Sequence, residues 1–265
     1  MRINGSTVLI TGASTGIGAA TAREFAKYGA EVDLAARNGD ALACVADEII
    51  AAGGVARFHP ADLSTVDGAR GLAAAVDTPD ILVNCAGAGR MIFAEETSPE
   101  EFASMAAVPY LAAGYITFTL LPAMIARGSG RIVNVNSPAS RVVWPSAAGY
   151  ASARWALRGL TEGLRADLRG TGVGVTEVIP GEVSSEYWRH NPGSAERLPS
   201  ISKLLPTLTP DKVAAKLVRA AAVGRAEVVF PLLLRALTAQ ARLAPRLVAG
   251  VVAATGAKRE IPKRA

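Results

Sequence analysis

Tyr150 and Arg154 stand four residues apart in the sequence GYASARWAL, residues 149–157. In a helix, positions i and i+4 lie on one side about one turn apart, so the hydroxyl and the cation can act together. A tyrosine hydroxyl ordinarily titrates near ~10, and a nearby cation brings such a group closer to neutral pH, where it can transfer protons. An exposed helix face has the same spacing, so these two residues alone leave both interpretations open.

Three glycines follow the first apolar segment, in the sequence TGASTGIG at residues 11–18. Glycine lets the backbone turn sharply and approach a ligand, and the free amides and dipole of the following helix attract a phosphate. An ordinary strand-to-helix turn also contains glycines. The position between a predicted strand and a predicted helix favours a dinucleotide-binding loop.

Four motifs, in order, resemble those of the short-chain dehydrogenase/reductase family, over residues 7 to about 231. They are the GxxxGxG spacing of residues 12–18, NCAG at 84–87, NVNS at 134–137, and PGEVSS from Pro180. Ser137 precedes Tyr150 by thirteen residues, which is the family's serine-to-tyrosine spacing. The resemblance implies that Tyr150 is the acid/base, that Ser137 holds the substrate oxygen, and that hydride moves between nicotinamide and a carbonyl or carbinol carbon.

Two positions depart from the family pattern. Arg154 replaces the lysine of YxxxK, which binds the nicotinamide ribose, and Pro109 aligns with an asparagine that anchors a water behind that lysine. Arginine keeps the charge but does not deprotonate, so it cannot pass a proton onward. The chain is therefore either an oxidoreductase without the usual water relay or a noncatalytic, NADP(H)-binding regulatory protein derived from this fold.

Arg37 follows the predicted second strand, and Ala36 stands where family members that prefer NAD commonly have an acidic residue. An arginine can pair with the adenosine 2′-phosphate, whereas an aspartate would repel it. We therefore expect NADP(H) to be preferred, with NAD(H) possible. Asp62 resembles the family's adenine-contacting aspartate, and it could equally be a helix cap.

The resemblance implies a catalytic set of Ser137, Tyr150 and Arg154. The cofactor-binding residues that it implies are Gly12, Ser14, Thr15, Gly16, Ile17, Gly18, Arg37, Asp62, Leu63, Asn84, Ala86, Gly87, Tyr150, Arg154, Pro180, Gly181, Val183 and Ser185. No metal site is predicted, because the two cysteines form no CxxC pair and two histidines are too few for a His-rich centre.

The elements that must position these residues are short β-branched segments alternating with helix-length segments. Strands are predicted at 7–11, 30–36, 55–59, 80–84, 131–137, 173–179 and 226–230. Continuously apolar strands of this kind form a parallel sheet covered on both faces, with ligands outside the carboxyl ends of the strands. The predicted fold is a Rossmann-like, doubly wound, seven-stranded parallel sheet in one domain over residues 1–265.

Two segments lie outside this pattern. Residues 182–209 form the longest irregular stretch, and their bulky apolar side chains favour a substrate lid over disorder. Residues 232–265 form a basic, apolar C-terminal extension whose uncharged runs are too short to span a bilayer. We expect the extension to pack over the cleft or a partner subunit, and the alternative is peripheral contact with an anionic membrane.

The charge distribution of the chain indicates which kinds of binding partner to expect. The formal net charge is +5, but residues 232–265 hold seven Arg or Lys and one Glu, so the body is close to neutral and nucleic acid is not an expected partner. The expected substrate is a small-molecule carbonyl or alcohol, specifically an apolar, bulky ketone or secondary alcohol. The resemblance implies a homodimer or homotetramer that pairs through helices near 100–126 and 149–169. The N-terminal residues lack the pattern of a signal peptide, so we expect a cytoplasmic protein.

Overall fold

Seven parallel strands form one twisted sheet in a computed structural model that describes residues 1–259. The spatial order is β3-β2-β1-β4-β5-β6-β7. The strands are β1 (Thr7–Thr11), β2 (Glu31–Ala36), β3 (Val55–Pro60), β4 (Ile81–Asn84), β5 (Gly130–Val135), β6 (Val173–Pro180) and β7 (Glu227–Phe230). This order reverses direction between β1 and β4, where a doubly wound sheet opens a crevice for a ligand. The predicted fold class is confirmed.

Ten α-helices lie within the described residues. They are α1 (Gly16–Lys27), α2 (Gly39–Ala51), α3 (Val66–Ala75), α4 (Pro99–Ala106), α5 (Ala112–Arg127), α6 (Ala148–Asp167), α7 (Tyr187–His190), α8 (Pro210–Val223), α9 (Leu232–Leu243) and α10 (Pro245–Thr255). The last six residues of the predicted C-terminal extension, 260–265, lie outside the described residues.

The core forms two layers because neighbouring strand residues point to opposite faces of the sheet. Val8 and Ile10 pack with apolar side chains of α1, α2 and α8. Leu9 and Leu82 pack on the other face with α3 and α5. These layers hold the strand ends, and therefore the loops that follow them, in fixed relative positions.

Side chains that accept backbone hydrogen bonds fix the start of several helices. Asn38, Thr65, Ser98 and Thr209 each accept an N–H of the first turn of α2, α3, α4 and α8, respectively. Strand β5 ends two residues before the predicted end at Ser137, because Ser137 instead caps a short 3₁₀ turn, Pro138–Ser140.

Pro109 interrupts the helical run between α4 and α5. The preceding residue, Val108, has φ −134° and ψ 110°, and the intervening Ala107–Leu111 turn is π-helical. A proline disfavours the α conformation of the residue before it and donates no backbone N–H, which accounts for the break at this point. The break lies beside the cleft, since Ala107 and Val108 contribute to the cleft wall.

The run from Pro99 to Arg127 is also long and apolar enough to cross a membrane by length and composition. Half of its most apolar window is buried inside the fold. Met105, Ile116 and Met124 belong to three separate core clusters. In this structure the run contributes core residues on both sides of the break at Val108.

Candidate active site

The glycine loop leads into the N terminus of α1, where no side chain caps the first turn. Thr15 occupies the N-cap position, but its side chain accepts no backbone N–H. Gly16 has φ +56°, a left-handed conformation that favours glycine. A Cβ on Gly18 would lie 2.1 Å from the carbonyl oxygen of Gly12. The tight turn thus leaves the α1 amides free to bind an anion.

One large cleft, with a volume of about 1400 Å³, runs along the carboxyl ends of the strands. That volume exceeds the range typical of a pocket for a single small ligand, ~300–1,000 Å³. Eighteen of the predicted site residues line it: Gly12, Ser14, Thr15, Gly16, Ile17, Gly18, Arg37, Asp62, Leu63, Ala86, Gly87, Ser137, Tyr150, Arg154, Pro180, Gly181, Val183 and Ser185.

Asn84 departs from the predicted cofactor-binding set, because it is buried and does not line the cleft. Its side-chain amide donates to Thr117 Oγ1 at 3.0 Å and to Asn134 Oδ1 at 2.8 Å. Asn134 in turn donates to Thr161 Oγ1 at 2.8 Å. This polar chain ties β4 and β5 to α5 and α6 behind the cleft wall, so the side chain of Asn84 has a structural role.

Ser137 lines the cleft just past the end of β5. Its Oγ accepts the backbone N–H of Ala139 at 3.2 Å, which leaves the hydroxyl proton free to donate. The backbone N–H of Ser137 donates to Asn136 Oδ1 at 2.9 Å. The serine is therefore held at its main chain while its O–H can reach a ligand oxygen.

Tyr150 and Arg154 are both buried on α6 and face the cleft. The guanidinium carbon of Arg154 lies 5.0 Å from the centroid of the Tyr150 ring, a cation–π contact. Nη1 of Arg154 donates to the carbonyl of Val135 at 3.5 Å, and its Nε has no hydrogen-bond partner among the described residues. Residues 1–259 also place no carboxylate within ion-pair distance of this guanidinium. A buried cation with unused donors faces the cleft beside the tyrosine.

A buried ion-pair network that the sequence motifs did not predict is linked to Ser137 through Asn136. Nη2 of Arg141 donates to Glu177 at 2.7 Å and to Glu227 at 2.5 Å. Glu177 also accepts from Asn136 at 2.7 Å, and the same Asn136 amide donates to the carbonyl of Arg154 at 3.1 Å. The network therefore joins β6 and β7 to the backbone of both Ser137 and α6.

Glu227 extends this network to α9, because Arg242 donates to it at 3.3 Å. Burial opposes the charged form of Glu227, but its bonds with Arg141 outweigh that effect and hold the pKa of the carboxyl below its ordinary value of 4.5. Glu177 could have indicated this network from the sequence, because it is an acidic residue inside a predicted strand that is mostly apolar. Such a residue requires a buried partner.

Tyr187 of α7 reaches across the cleft and donates its hydroxyl to the carbonyl of Gly89 at 2.5 Å. Burial, together with the neighbouring Tyr150, raises the pKa of Tyr187 above its usual range, so the hydroxyl stays a donor. Trp188 donates its Nε1 to Val183 at 2.9 Å, and the two aromatic rings meet edge to face. With their polar atoms satisfied, both side chains offer apolar surface to the cleft.

Backbone hydrogen bonds join the two ends of the segment predicted as a lid, residues 182–209. A parallel bridge joins Val183 to Leu208, and the N–H of Leu208 donates to the carbonyl of Glu182 at 2.8 Å. The bulky apolar side chains of this segment do not all leave water, since Leu205 lines the cleft whereas Leu204 is 71% exposed. Leu204 is the last residue of the short 3₁₀ turn Ser200–Leu204.

At the other end of the cleft, Arg37 is exposed just beyond β2 and has no carboxylate within ion-pair distance in the described part of the chain. Asp62 lies near it. Hydrogen bonds from the side chain and backbone of Ser64 lower the pKa of Asp62, and the Arg37 charge adds to this. The alternative that Asp62 caps α3 is wrong, since Thr65 occupies that position.

Apolar side chains line the remainder of the cleft, and the C-terminal helices supply many of them. The residues from the body and lid are Met91, Val142, Trp144, Tyr187, Trp188, Leu198, Ile201 and Leu205; those from α9 and α10 are Leu234, Leu237, Leu247, Val248, Val251 and Val252. Cys85 also lies in the wall, where burial raises the pKa of its thiol to about 12 and keeps it protonated.

Comparison with known protein families gives a match over residues 6–193 to the model of the short chain dehydrogenases. A short chain dehydrogenase of Pseudocercospora fijiensis is 36% identical over 193 residues, which are 70% of this chain and 62% of that relative. The chain thus spans less than two thirds of that relative's length.

Two solved structures are similar to this chain in fold. A metagenomic short-chain oxidoreductase in complex with NADP is 32% identical, with a TM-score of 0.72 over 86% of this chain and 97% of that chain. A short chain dehydrogenase/reductase from Burkholderia phymatum in complex with NAD is 25% identical, with a TM-score of 0.83 over 98% of this chain and 100% of that chain. The second match extends the structural similarity over nearly the whole chain.

Proposed function

The chain belongs to the short-chain dehydrogenase family, and from that premise we propose an NADP(H)-dependent oxidoreductase that interconverts an apolar, bulky ketone and its secondary alcohol. One observation carries the proposal. Ser137, Tyr150 and the buried cation of Arg154 line the same cleft as the uncapped N terminus of α1. This shared cleft supports the proposal, because a proton donor and an anion-binding helix end are what such a reaction requires beside one bound ligand.

The residues present fit a nicotinamide dinucleotide. The free α1 amides suit a pyrophosphate, and the unused donors of Arg154 suit ribose hydroxyls. Arg37 stands at the adenosine end, where its charge fits a 2′-phosphate, and Ala36 presents no competing carboxylate. Related structures hold NADP or NAD. Arg37 favours NADP(H) for this chain.

In the reducing direction, Ser137 donates a hydrogen bond to the carbonyl oxygen and Tyr150 gives that oxygen its hydroxyl proton. When bound, a reduced nicotinamide supplies the hydride that turns the carbonyl carbon into a carbinol carbon. The Arg154 cation, 5.0 Å from the Tyr150 ring centroid, stabilises the negative charge left on the tyrosine. In the oxidising direction, the same tyrosine oxygen accepts the alcohol proton.

Arg154 and Pro109 affect how Tyr150 regains its proton. Arg154 does not release a proton, and Pro109 is buried with no polar side-chain atom. The usual relay behind the tyrosine is therefore absent, and the replacement proton enters from solvent along the cleft. Loss of the relay slows turnover without abolishing it.

The apolar lining from the lid and from α9 and α10 supports the substrate class. Tyr187 and Trp188 have satisfied polar atoms, so this part of the cleft binds chiefly by removing apolar surface from water. A bulky ketone with few polar groups fits such a surface better than a polyol does. The lid role of residues 182–209 is part of this proposal.

The chain acts on a small molecule, and its assembly is a further part of the proposal. Exposed aromatic side chains Phe118 and Trp155 lie on α5 and α6. Those helices are the ones expected to pair in a homodimer, or in one interface of a homotetramer. The cytoplasmic location stays a prediction.

The test follows NADPH consumption by the purified protein with a panel of ketones of increasing size and hydrophobicity. We expect turnover of bulky apolar ketones and its loss in Tyr150→Phe, while NADPH binding is retained. A wild-type protein that binds NADPH tightly but reduces none of the ketones, and oxidises none of the corresponding alcohols with NADP⁺, contradicts the proposal. That result supports the noncatalytic regulatory alternative.

A further inference from the structure

Helix α9 carries an apolar stripe on its outer side. Leu232, Ala236, Ala239 and Leu243 recur at spacings of three and four residues, so they lie on one face, and all four are exposed. Leu234 and Thr238 cover the opposite face and are buried. Helix α9 therefore has leucines on its solvent-facing side as well as on the side that packs against the core.

The leucines of this stripe are largely exposed, and exposing apolar side chains to water costs free energy. Leu232 is 78% exposed and Leu243 is 87% exposed. Leu247, 69% exposed, follows just after the corner between α9 and α10. We call Leu232, Ala236, Ala239, Leu243 and Leu247 the tail face. Contiguous exposed apolar residues of this kind mark an interaction surface.

The helices that carry the tail face are basic. Between residues 232 and 259 the chain has five Arg or Lys and no Asp or Glu. Arg242 pairs with Glu227 and Arg259 with Glu95. Arg235 and Arg246 have no carboxylate within 4.0 Å among residues 1–259. The unpaired arginines sit on the helices that carry the leucines.

Exposed leucines next to unpaired arginines favour one kind of binding partner. A basic helix with an apolar face lies in the boundary between lipid headgroups and acyl chains, where arginines meet anionic phosphates and leucines leave water. A second copy of the same face would instead bring like charges together around a two-fold axis. Charge complementarity therefore favours an anionic lipid surface.

We propose that the tail face docks this protein on anionic membranes, with α9 lying in the interface plane. Leu247 also lines the cleft, so docking places the cleft mouth at the lipid boundary. An apolar substrate dissolved in the bilayer then has a short path to the site, a consequence that rests on the proposed function. Docking itself requires neither substrate nor cofactor.

The experiment measures co-sedimentation of the full chain with vesicles of phosphatidylcholine alone or mixed with phosphatidylglycerol, at low and high NaCl. The main variant is Leu232→Ser/Leu243→Ser, because neither residue lines the cleft and both are exposed. A second variant, Arg235→Gln/Arg246→Gln, removes the unpaired charges. Val223→Ser is the matched control, since Val223 is an exposed apolar residue at the end of α8.

The wild type is expected to sediment with the anionic vesicles, less at high salt, and weakly with phosphatidylcholine alone. The leucine variant is expected to lose at least about tenfold in partitioning, and the arginine variant about fivefold per residue removed. Val223→Ser is expected to bind as the wild type does. Far-ultraviolet circular dichroism checks that every variant is folded.

Three outcomes overturn the proposal. The wild type fails to sediment with anionic vesicles at any salt concentration, or the folded leucine variant sediments equally well. Alternatively, analytical ultracentrifugation shows that the leucine substitutions dissociate a homo-oligomer while vesicles bind neither protein, which assigns the tail face to a second copy. Each measurement is made without turnover, so a negative result leaves the proposed oxidoreductase function standing.

Discussion

Arg154 is a buried cation for which residues 1–259 provide no carboxylate at ion-pair distance. Burying a charge without a partner costs free energy. The Nε of Arg154, beside Tyr150 and the cleft, nevertheless has no hydrogen-bond partner among the described residues. The arrangement is explained if ligand oxygens complete the solvation of the guanidinium. In the proposed mechanism its charge serves both ligand binding and proton transfer, and its fixed protonation excludes a proton relay through it.

We expect Arg154→Ala to reduce turnover more than Arg154→Lys does, because the charge beside Tyr150 matters more than the geometry of its donors. A loss of ~100-fold for the alanine variant corresponds to removal of one electrostatic stabiliser. Steady-state rates across a pH series, with Tyr150→Phe as the inactive reference, measure this. Equal rates in the alanine and lysine variants would show that the positive charge is dispensable.

Arg37 is predicted to select the phosphorylated cofactor. Arg37→Ala is expected to weaken NADPH binding by ~10- to 150-fold, since a charge-assisted hydrogen bond contributes ~1.5–3 kcal/mol, and to leave NADH binding nearly unchanged. Fluorescence titration with each cofactor provides the measurement. Arg219→Ala, another exposed arginine outside the cleft, is the control. Equal affinities of the wild type for NADPH and NADH would refute this prediction.

At the scale of elements, the Arg141–Glu177–Glu227 network holds β6, β7 and α9 together beneath the site. Glu227→Gln is expected to lower the free energy of unfolding by ~1.5–3 kcal/mol at neutral pH, the range for hydrogen bonds to charged groups. The folded-state pKa of Glu227 lies below 4.5, so the carboxylate stabilises the fold at neutral pH. This stabilisation is lost as the pH falls through that depressed value.

The stability gap between wild type and Glu227→Gln should therefore shrink as the pH falls below 4.5, the ordinary value for the carboxyl. Urea denaturation over a pH series measures the gap. Glu196→Gln, an exposed glutamate without an ion pair in the described residues, controls for loss of a surface charge. A gap that stays constant down to acidic pH would show that the ion pair does not supply it.

Helix α10 forms part of the cleft wall, so its side chains should set the size of substrate accepted. Val251 lines the cleft but is also partly exposed, which leaves room for a larger side chain. Val251→Trp is expected to raise KM for bulky ketones several-fold while NADPH affinity stays unchanged. Ala249→Trp, on the exposed side of the same helix, is the control. Equal effects on small and bulky ketones would contradict a wall role for α10.

At the scale of the whole molecule, apolar surface remains on α5 and α6 outside the core. Phe118 is 58% exposed. Phe118→Asp is expected to dissociate the proposed homo-oligomer, because a desolvated charge at an apolar interface costs several kcal/mol. Sedimentation velocity measures the change, with Val223→Asp as control. A wild type that sediments as a monomer, or an unchanged oligomer in Phe118→Asp, would reject this interface.

The sequence by itself determined the sheet, because strand and helix periods are local properties of the chain. Six of the seven predicted strands end within one residue of the observed ends, and the family that the motifs resemble is the one whose model matches residues 6–193. The predictions that the glycine loop, Ser137 and Tyr150 belong to one site rest on the same kind of local pattern, and the three glycines of the loop, Ser137 and Tyr150 all line the cleft. Their chemistry requires fixed residue types at fixed spacings, which remain visible without coordinates.

Only the tertiary structure decided which side chains face the cleft and which face one another. Asn84 matches a motif but points into an internal polar chain, and Asp62 leaves helix capping to Thr65. Arg141, Glu177 and Glu227 come from three distant segments that meet only when β6 and β7 pair. Such contacts depend on long-range packing and desolvation, which the order of residues along the chain does not encode locally.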